Sequence, residues 1–222
     1  MAVRLGVVIG AIAGIAALIA WYVVGFLMVS PPAVAVPATT GATPTANLTM
    51  QTVPSLGGAY GEPSWVSYLV KNAAGKWVHS TVINVPAHAL VHVTLYQYDS
   101  ASGLRNPFLS RPEGILGNVM QVDGKAATVI DPAKASHTFA IPAYHLVVPL
   151  EGVADNAKNT CGAAPCPLAE THRTITFTFR TGKPGRIRWQ CFVPCAAGFI
   201  YGFGGPMQTI GYMDGFLNVG TA

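Results

Sequence analysis

Charge is scarce in this chain. Only 10% of its 222 residues are charged, 13 basic and 9 acidic, and the net +4 is spread without a basic run. Nucleic-acid binding needs basic residues gathered on one face, so no nucleic acid is expected as a partner. Neither G-x-S-x-G nor H-E-x-x-H occurs, and no acidic pair stands out, which removes the common hydrolase arrangements. Long stretches of 3.6-residue period are missing beyond residue 29, so helices are not expected to build the body of the protein. There is no internal repeat. Cysteine is limited to four residues, in two close pairs: Cys161 with Cys166 and Cys191 with Cys195.

One uncharged run stands out against this sparse background. Leu5 to Val29 reads LGVVIGAIAGIAALIAWYVVGFLMV. A spanning helix needs roughly 20 apolar residues, whereas the apolar part of a cleavable signal peptide runs to about 7–15. Residues 1–29 therefore read as a transmembrane anchor; the alternative is a signal peptide cut near Pro32-Ala33-Val34-Ala35. Arg4 precedes the run and the next basic residue after it is Lys71. That asymmetry places the N-terminus in the cytoplasm and the remainder outside the cell membrane. Residues 30–46, rich in Pro, Ala and Thr, read as an extended tether. Residues 47–222 form the extracytoplasmic domain.

Within that domain the texture is short and β-like. Val91, Val93 and Leu95 alternate with His92, Thr94 and Tyr96, and TITFTFRT (174–181) alternates likewise. HTFAIP (137–142), RIRWQC (186–191) and FLNV (216–219) are further runs, and Lys183-Pro184-Gly185 supplies a turn. With 17 prolines and 24 glycines as punctuation, an all-β, antiparallel β-sandwich is expected. The loop from Ser100 to about Thr128 has room for a short helix. In an exported domain Cys161 and Cys166 read as a structural disulfide.

Three stretches in order, VPAHALVHVTLYQYD, SHTFAIPAY and KPGRIRWQCFVPC followed by GYMDGFLNV, resemble the cupredoxin domain of cytochrome c oxidase subunit II. They cover roughly residues 75–220. The resemblance implies a Greek-key cupredoxin sandwich behind one transmembrane helix. It places His137 as an imidazole ligand of copper, Cys191 and Cys195 as bridging thiolates, the Val193 carbonyl as a backbone ligand and Met213 as the weak thioether. Met207 is the alternative thioether. The family's second histidine falls at Ile210 or Phe199, and neither is histidine. A complete dinuclear copper site is therefore not expected, because each copper wants its own imidazole. His88, His92 and His145 read as packing or surface histidines.

Two states of this altered site remain open. One is a single copper held by His137, a cysteine and a methionine. The other is a metal-free loop in which Cys191 and Cys195 oxidise to a disulfide. At the level of function the resemblance implies a non-catalytic, subunit II-like component of a membrane-bound haem-copper terminal oxidase. Its partners would be a polytopic catalytic subunit and other membrane subunits. The alternatives are a stand-alone, membrane-tethered cupredoxin electron carrier with one copper, and a purely structural accessory sandwich. Tyr201, Phe203 and Tyr212, in a glycine-rich loop, are candidate docking aromatics.

Overall fold

The computed structural model describes residues 2–27, 30–195 and 205–220. The chain divides into two units, 1–30 and 31–222. The first is a helix, α1 (Ala2–Tyr22), which continues through a π-helical turn at Val23–Leu27. Its segment Gly6–Gly25 has a mean hydropathy of 2.5 and is long and apolar enough to cross a membrane.

The second unit is a two-sheet β-sandwich. In chain order its first strands are β1 (Val34–Ala35), β2 (Ala38–Thr39), β3 (Thr45–Val53), β4 (Ser67–Lys71), β5 (Trp77–Val78), β6 (Val82–Pro86) and β7 (Leu90–Gln97). There follow β8 (Met120–Val122), β9 (Lys125–Ala127), β10 (Ala135–Ile141), β11 (Leu146–Glu151), β12 (Arg173–Arg180), β13 (Gly185–Gln190) and β14 (Asp214–Gly220). One sheet runs β1-β6-β14-β13-β10-β11; the other runs β5-β4-β3-β7-β12-β8-β9, with β2 added beside β3. The alternation read in β7 and β12 is real: Val91, Val93 and Leu95 face the core, and Ile175, Phe177 and Phe179 meet them from the neighbouring strand. Pairing is mixed, however. β3 with β7, β6 with β14 and β1 with β6 run parallel, while the hairpin-linked strands run antiparallel. Side-chain alternation has the same period in both orientations, so it does not distinguish them.

Large rings fill the space between the sheets. Trp189 and Phe139 lie 5.0 Å apart by ring centroid, Tyr68 meets Trp189 edge-on at 5.1 Å, and all three are fully buried. Their polar atoms are satisfied: Trp189 Nε1 donates to Thr81 O at 3.0 Å and the Tyr68 hydroxyl to Thr138 O at 2.9 Å. A second small cluster covers the outside of the β3–β4–β7 face. It includes Val53, Leu69 and Tyr98 and the Cys161–Cys166 disulfide, which has formed as expected.

The stretch read as an extended tether contributes strands to the sandwich. β1 pairs with β6, β2 pairs with β3, and Val34 and Val36 are buried in the core. Pro and Ala composition suggested a linker, but two valines at alternate positions suffice to seat an edge strand, where proline's missing N–H does no harm. The Ser100–Thr128 loop carries two short 3-10 turns, Pro107–Ser110 and Leu116–Asn118, and the β8–β9 hairpin.

Gly215, the second residue of the last strand, lies hard against Thr81. A Cβ there would run into the Thr81 carbonyl oxygen and side chain, which the β6–β14 pairing holds in place. Gly215→Ala is therefore expected to destabilise the domain by about 1–3 kcal/mol, the usual cost of overpacking, measured as a lowered denaturation midpoint.

Candidate metal centre

The candidate residues come from two adjacent strands. β10 is buried along its whole length, so His137, on its inner face with Phe139, is only 2% exposed. β13 lies beside β10 through the Ala140–Gln190 pair and ends there, delivering Cys191 into a short loop. Thr138 ties strand to loop twice: its hydroxyl accepts from Phe192 N at 2.7 Å, and its amide donates to Cys191 Sγ at 3.3 Å. Cys191 N in turn donates to the Met213 carbonyl at 2.8 Å, at the entry to β14.

These ties bring three ligand atoms together. His137 Nδ1 lies 3.0 Å from Cys195 Sγ and 3.9 Å from Cys191 Sγ, and the two sulfurs are 3.3 Å apart. The Val193 carbonyl oxygen stands 3.0 Å from Cys195 Sγ and 3.6 Å from Cys191 Sγ. The disulfide expected of a metal-free loop is absent: both cysteines are free thiols. Of the two candidate thioethers, Met207 accepts from Cys195 N at 3.4 Å, and Met213 shares the buried cluster of Cys191. Met213 is fully buried, and its backbone supplies the contact to Cys191.

Electrostatics pairs a thiolate at Cys191 with a protonated imidazole at His137. Burial works against a thiolate at Cys191. Hydrogen bonds from the Cys195 thiol, His137 and the Thr138 amide overcome it and hold the Cys191 thiol well below its ordinary range. Cys195, bonded to that thiolate and itself buried, is pushed far upward and keeps its proton. Burial also disfavours charge on His137, but the Asp99 carboxylate and the Cys191 sulfur raise it to about 9. Asp99 Oδ2 lies 3.1 Å from His137 Nε2. Burial alone would lift the Asp99 carboxyl, and the imidazole and the Ser100 amide bring it below its ordinary value instead. Neither Asp99 nor Thr138 was singled out as a site residue from sequence. Their one visible signal was position: Asp99 closes the β7 run and Thr138 follows His137.

No second imidazole joins the group. Among the described residues the cluster of possible ligands holds His137, Cys191 and Cys195 alone. Ile210 makes a β-bridge to Asp214, and Phe199 lies outside the described residues. His92 bonds Thr178 on an exposed face, while His88 and His145 occupy left-handed turn positions. Tyr201 and Phe203 also lie outside the described residues. Tyr212 is not a free docking ring: it is 4% exposed, donates to Glu62 at 3.0 Å and packs on Trp65 and His79.

Two facing sheets, an imidazole from one strand and two cysteines from the loop leaving its neighbour make a cupredoxin-like layout. No family model matches the chain, and no curated protein does. It is similar to solved structures of rusticyanin. One, described as a copper protein, is 16% identical, covers 86% of this chain and 85% of its own, with a TM-score of 0.32. Another, from Thiobacillus ferrooxidans, is 17% identical, covers 86% and 84%, with a TM-score of 0.31. Likeness at that level assigns no residue, and the site stands on its own geometry.

Two sulfurs, an imidazole nitrogen, a carbonyl oxygen and a nearby thioether form a soft donor set that fits one copper. A second copper would find no imidazole of its own. Loading also has a proton cost, since metal ligands must be deprotonated. Between the ordinary imidazole value of 6.5 and about 9, His137 holds a proton that copper must displace. Apparent copper affinity is therefore expected to rise with pH across that window. In the intact protein the proton release per copper, read by calorimetry in two buffers, is expected to fall by about one as the pH rises through about 9.

Proposed function

We propose that this chain is a membrane-anchored electron-transfer protein whose sandwich holds one copper at His137, Cys191 and Cys195. In its finer form, the proposal makes it the subunit II-like component of a haem-copper terminal oxidase. One observation carries the reading: a buried imidazole nitrogen and two unbridged thiol sulfurs lie within 4.8 Å of one another. Copper, when bound, supplies a one-electron couple. The residues of this chain hold and enclose it: thiolates and imidazole bind, the sheets exclude water, and Asp99 and Thr138 fix the ligand side chains.

The oxidase assignment is supported by the ordered resemblance across residues 75–220 and by the apolar helix ahead of the domain. With Arg4 before that helix and no basic residue between it and Lys71, the N-terminus is cytoplasmic and the sandwich extracytoplasmic. The catalytic haem would belong to a polytopic partner. The single imidazole also favours a second reading, a stand-alone carrier with one copper and no such partner.

The test is copper titration of the full chain in mild detergent, reduced and under anaerobic conditions, with paramagnetic resonance and absorption spectra. One copper per chain with a four-line signal and an intense thiolate-to-copper band is expected, and the band should vanish in Cys191→Ser. No stoichiometric copper would overturn the reading. Co-purification with a haem-bearing polytopic subunit supports the oxidase form; a lone monodisperse chain supports the stand-alone carrier.

A further inference from the structure

His137 presents two nitrogens, and only one faces the sulfurs. Nδ1 is 3.0 Å from Cys195 Sγ, while Nε2 is turned to Asp99 Oδ2 at 3.1 Å. An imidazole on a strand has freedom about its side-chain torsions, so something must select this orientation. Asp99 is well placed to do so because it is itself held on several sides. Its Oδ1 accepts from Ser100 N at 2.9 Å. Its carbonyl accepts from Val153 N at 3.0 Å and from the buried Gln97 side chain at 3.4 Å. Behind the turn, the backbone of Gly152 lies so close that a Cβ would come within 2.6 Å of Ala101 N and 2.7 Å of Ser100 C. The turn has no room to shift in that direction. Among the described residues, His137 is the one ion-pair partner recorded for Asp99, whose side chain is 29% exposed.

We propose that Asp99 is the positioning residue of the candidate centre: its carboxylate holds the ring of His137 through Nε2 and leaves Nδ1 to the metal. The inference rests on the copper-site reading above and adds to it the residue that sets which nitrogen binds. A carboxylate bonded to the far nitrogen of a ligand histidine fixes its tautomer and orientation and raises its basicity, and losing such a partner typically costs about 10–100-fold in metal affinity. Asp99 also places a negative charge one ring away from the metal, which favours the more highly charged copper state.

The test uses the full chain in detergent with two variants, Asp99→Ala and Asp99→Asn. In the metal-free protein, long-range proton–nitrogen correlation spectra read whether Nε2 of His137 carries an exchange-protected proton. The wild type is expected to show it on Nε2, Asp99→Ala to lose it, and Asp99→Asn to keep it through the amide oxygen. With copper, Asp99→Ala is expected to bind about 10–100-fold more weakly. Asp99→Asn should recover most of that affinity with a raised reduction potential. An Nε2 proton equally protected in Asp99→Ala, or an Asn variant indistinguishable from Ala in both measurements, overturns the proposal. If the wild type takes no copper, the copper reading fails by that result alone, while the metal-free spectra still decide the role of Asp99.

Discussion

The candidate centre depends on the exchange of hydrogen bonds between Thr138 and the loop after β13. β10 and β13 share a single recorded register pair, Ala140 with Gln190, so backbone pairing alone holds the two ligand sources together weakly. The Thr138 hydroxyl on Phe192 N and the Thr138 amide on Cys191 Sγ close that gap. Everything distinctive about the site follows: the thiol is brought under the imidazole, the loop turns back so that the Val193 carbonyl faces the sulfurs, and Cys195 arrives beside Met207. The large rings of the core serve the same end. Tyr68 donates to the Thr138 carbonyl, so the residue that staples the loop is itself anchored in the packed interior.

Burying charged groups is tolerated only where each is matched. Here the match is a short relay in which Asp99 faces His137, the His137 Nδ1 faces both sulfurs, and Cys195 donates its thiol proton to Cys191 while accepting from His137. Every member has a partner of opposite charge or complementary hydrogen-bonding role. Removing one member therefore disturbs the rest. The His137 and Cys191 shifts belong to one coupled arrangement rather than to two independent groups.

Much of this was legible in the sequence, because period-two alternation is a direct imprint of a half-buried strand and because imidazole and thiol are rare enough to stand out. β7, β10, β12, β13 and β14 lie where the alternating runs put them. The relations that failed to show are those between distant segments. Parallel pairing of β3 with β7, the seating of β1 and β2 by Val34 and Val36, and the turn of Asp99 toward His137 all depend on which strands become neighbours. An aspartate at the end of a strand looks the same whether it faces solvent or a buried ring. Tyr212 shows the converse: its glycine-rich surroundings suggest exposure, yet Glu62, Trp65 and His79 enclose it.

The spacing of the two free sulfurs has a bearing on how such a chain matures. At 3.3 Å they stand close to, but outside, the roughly 2.05 Å of a covalent bridge. A two-electron oxidant would join them with release of the Cys195 proton, and the joined pair would no longer offer thiolates. Any setting oxidising enough to close Cys161 with Cys166 exposes Cys191 and Cys195 to the same fate. Metal and oxidant thus compete for one pair of atoms, and the order in which they arrive decides which product the fold encloses.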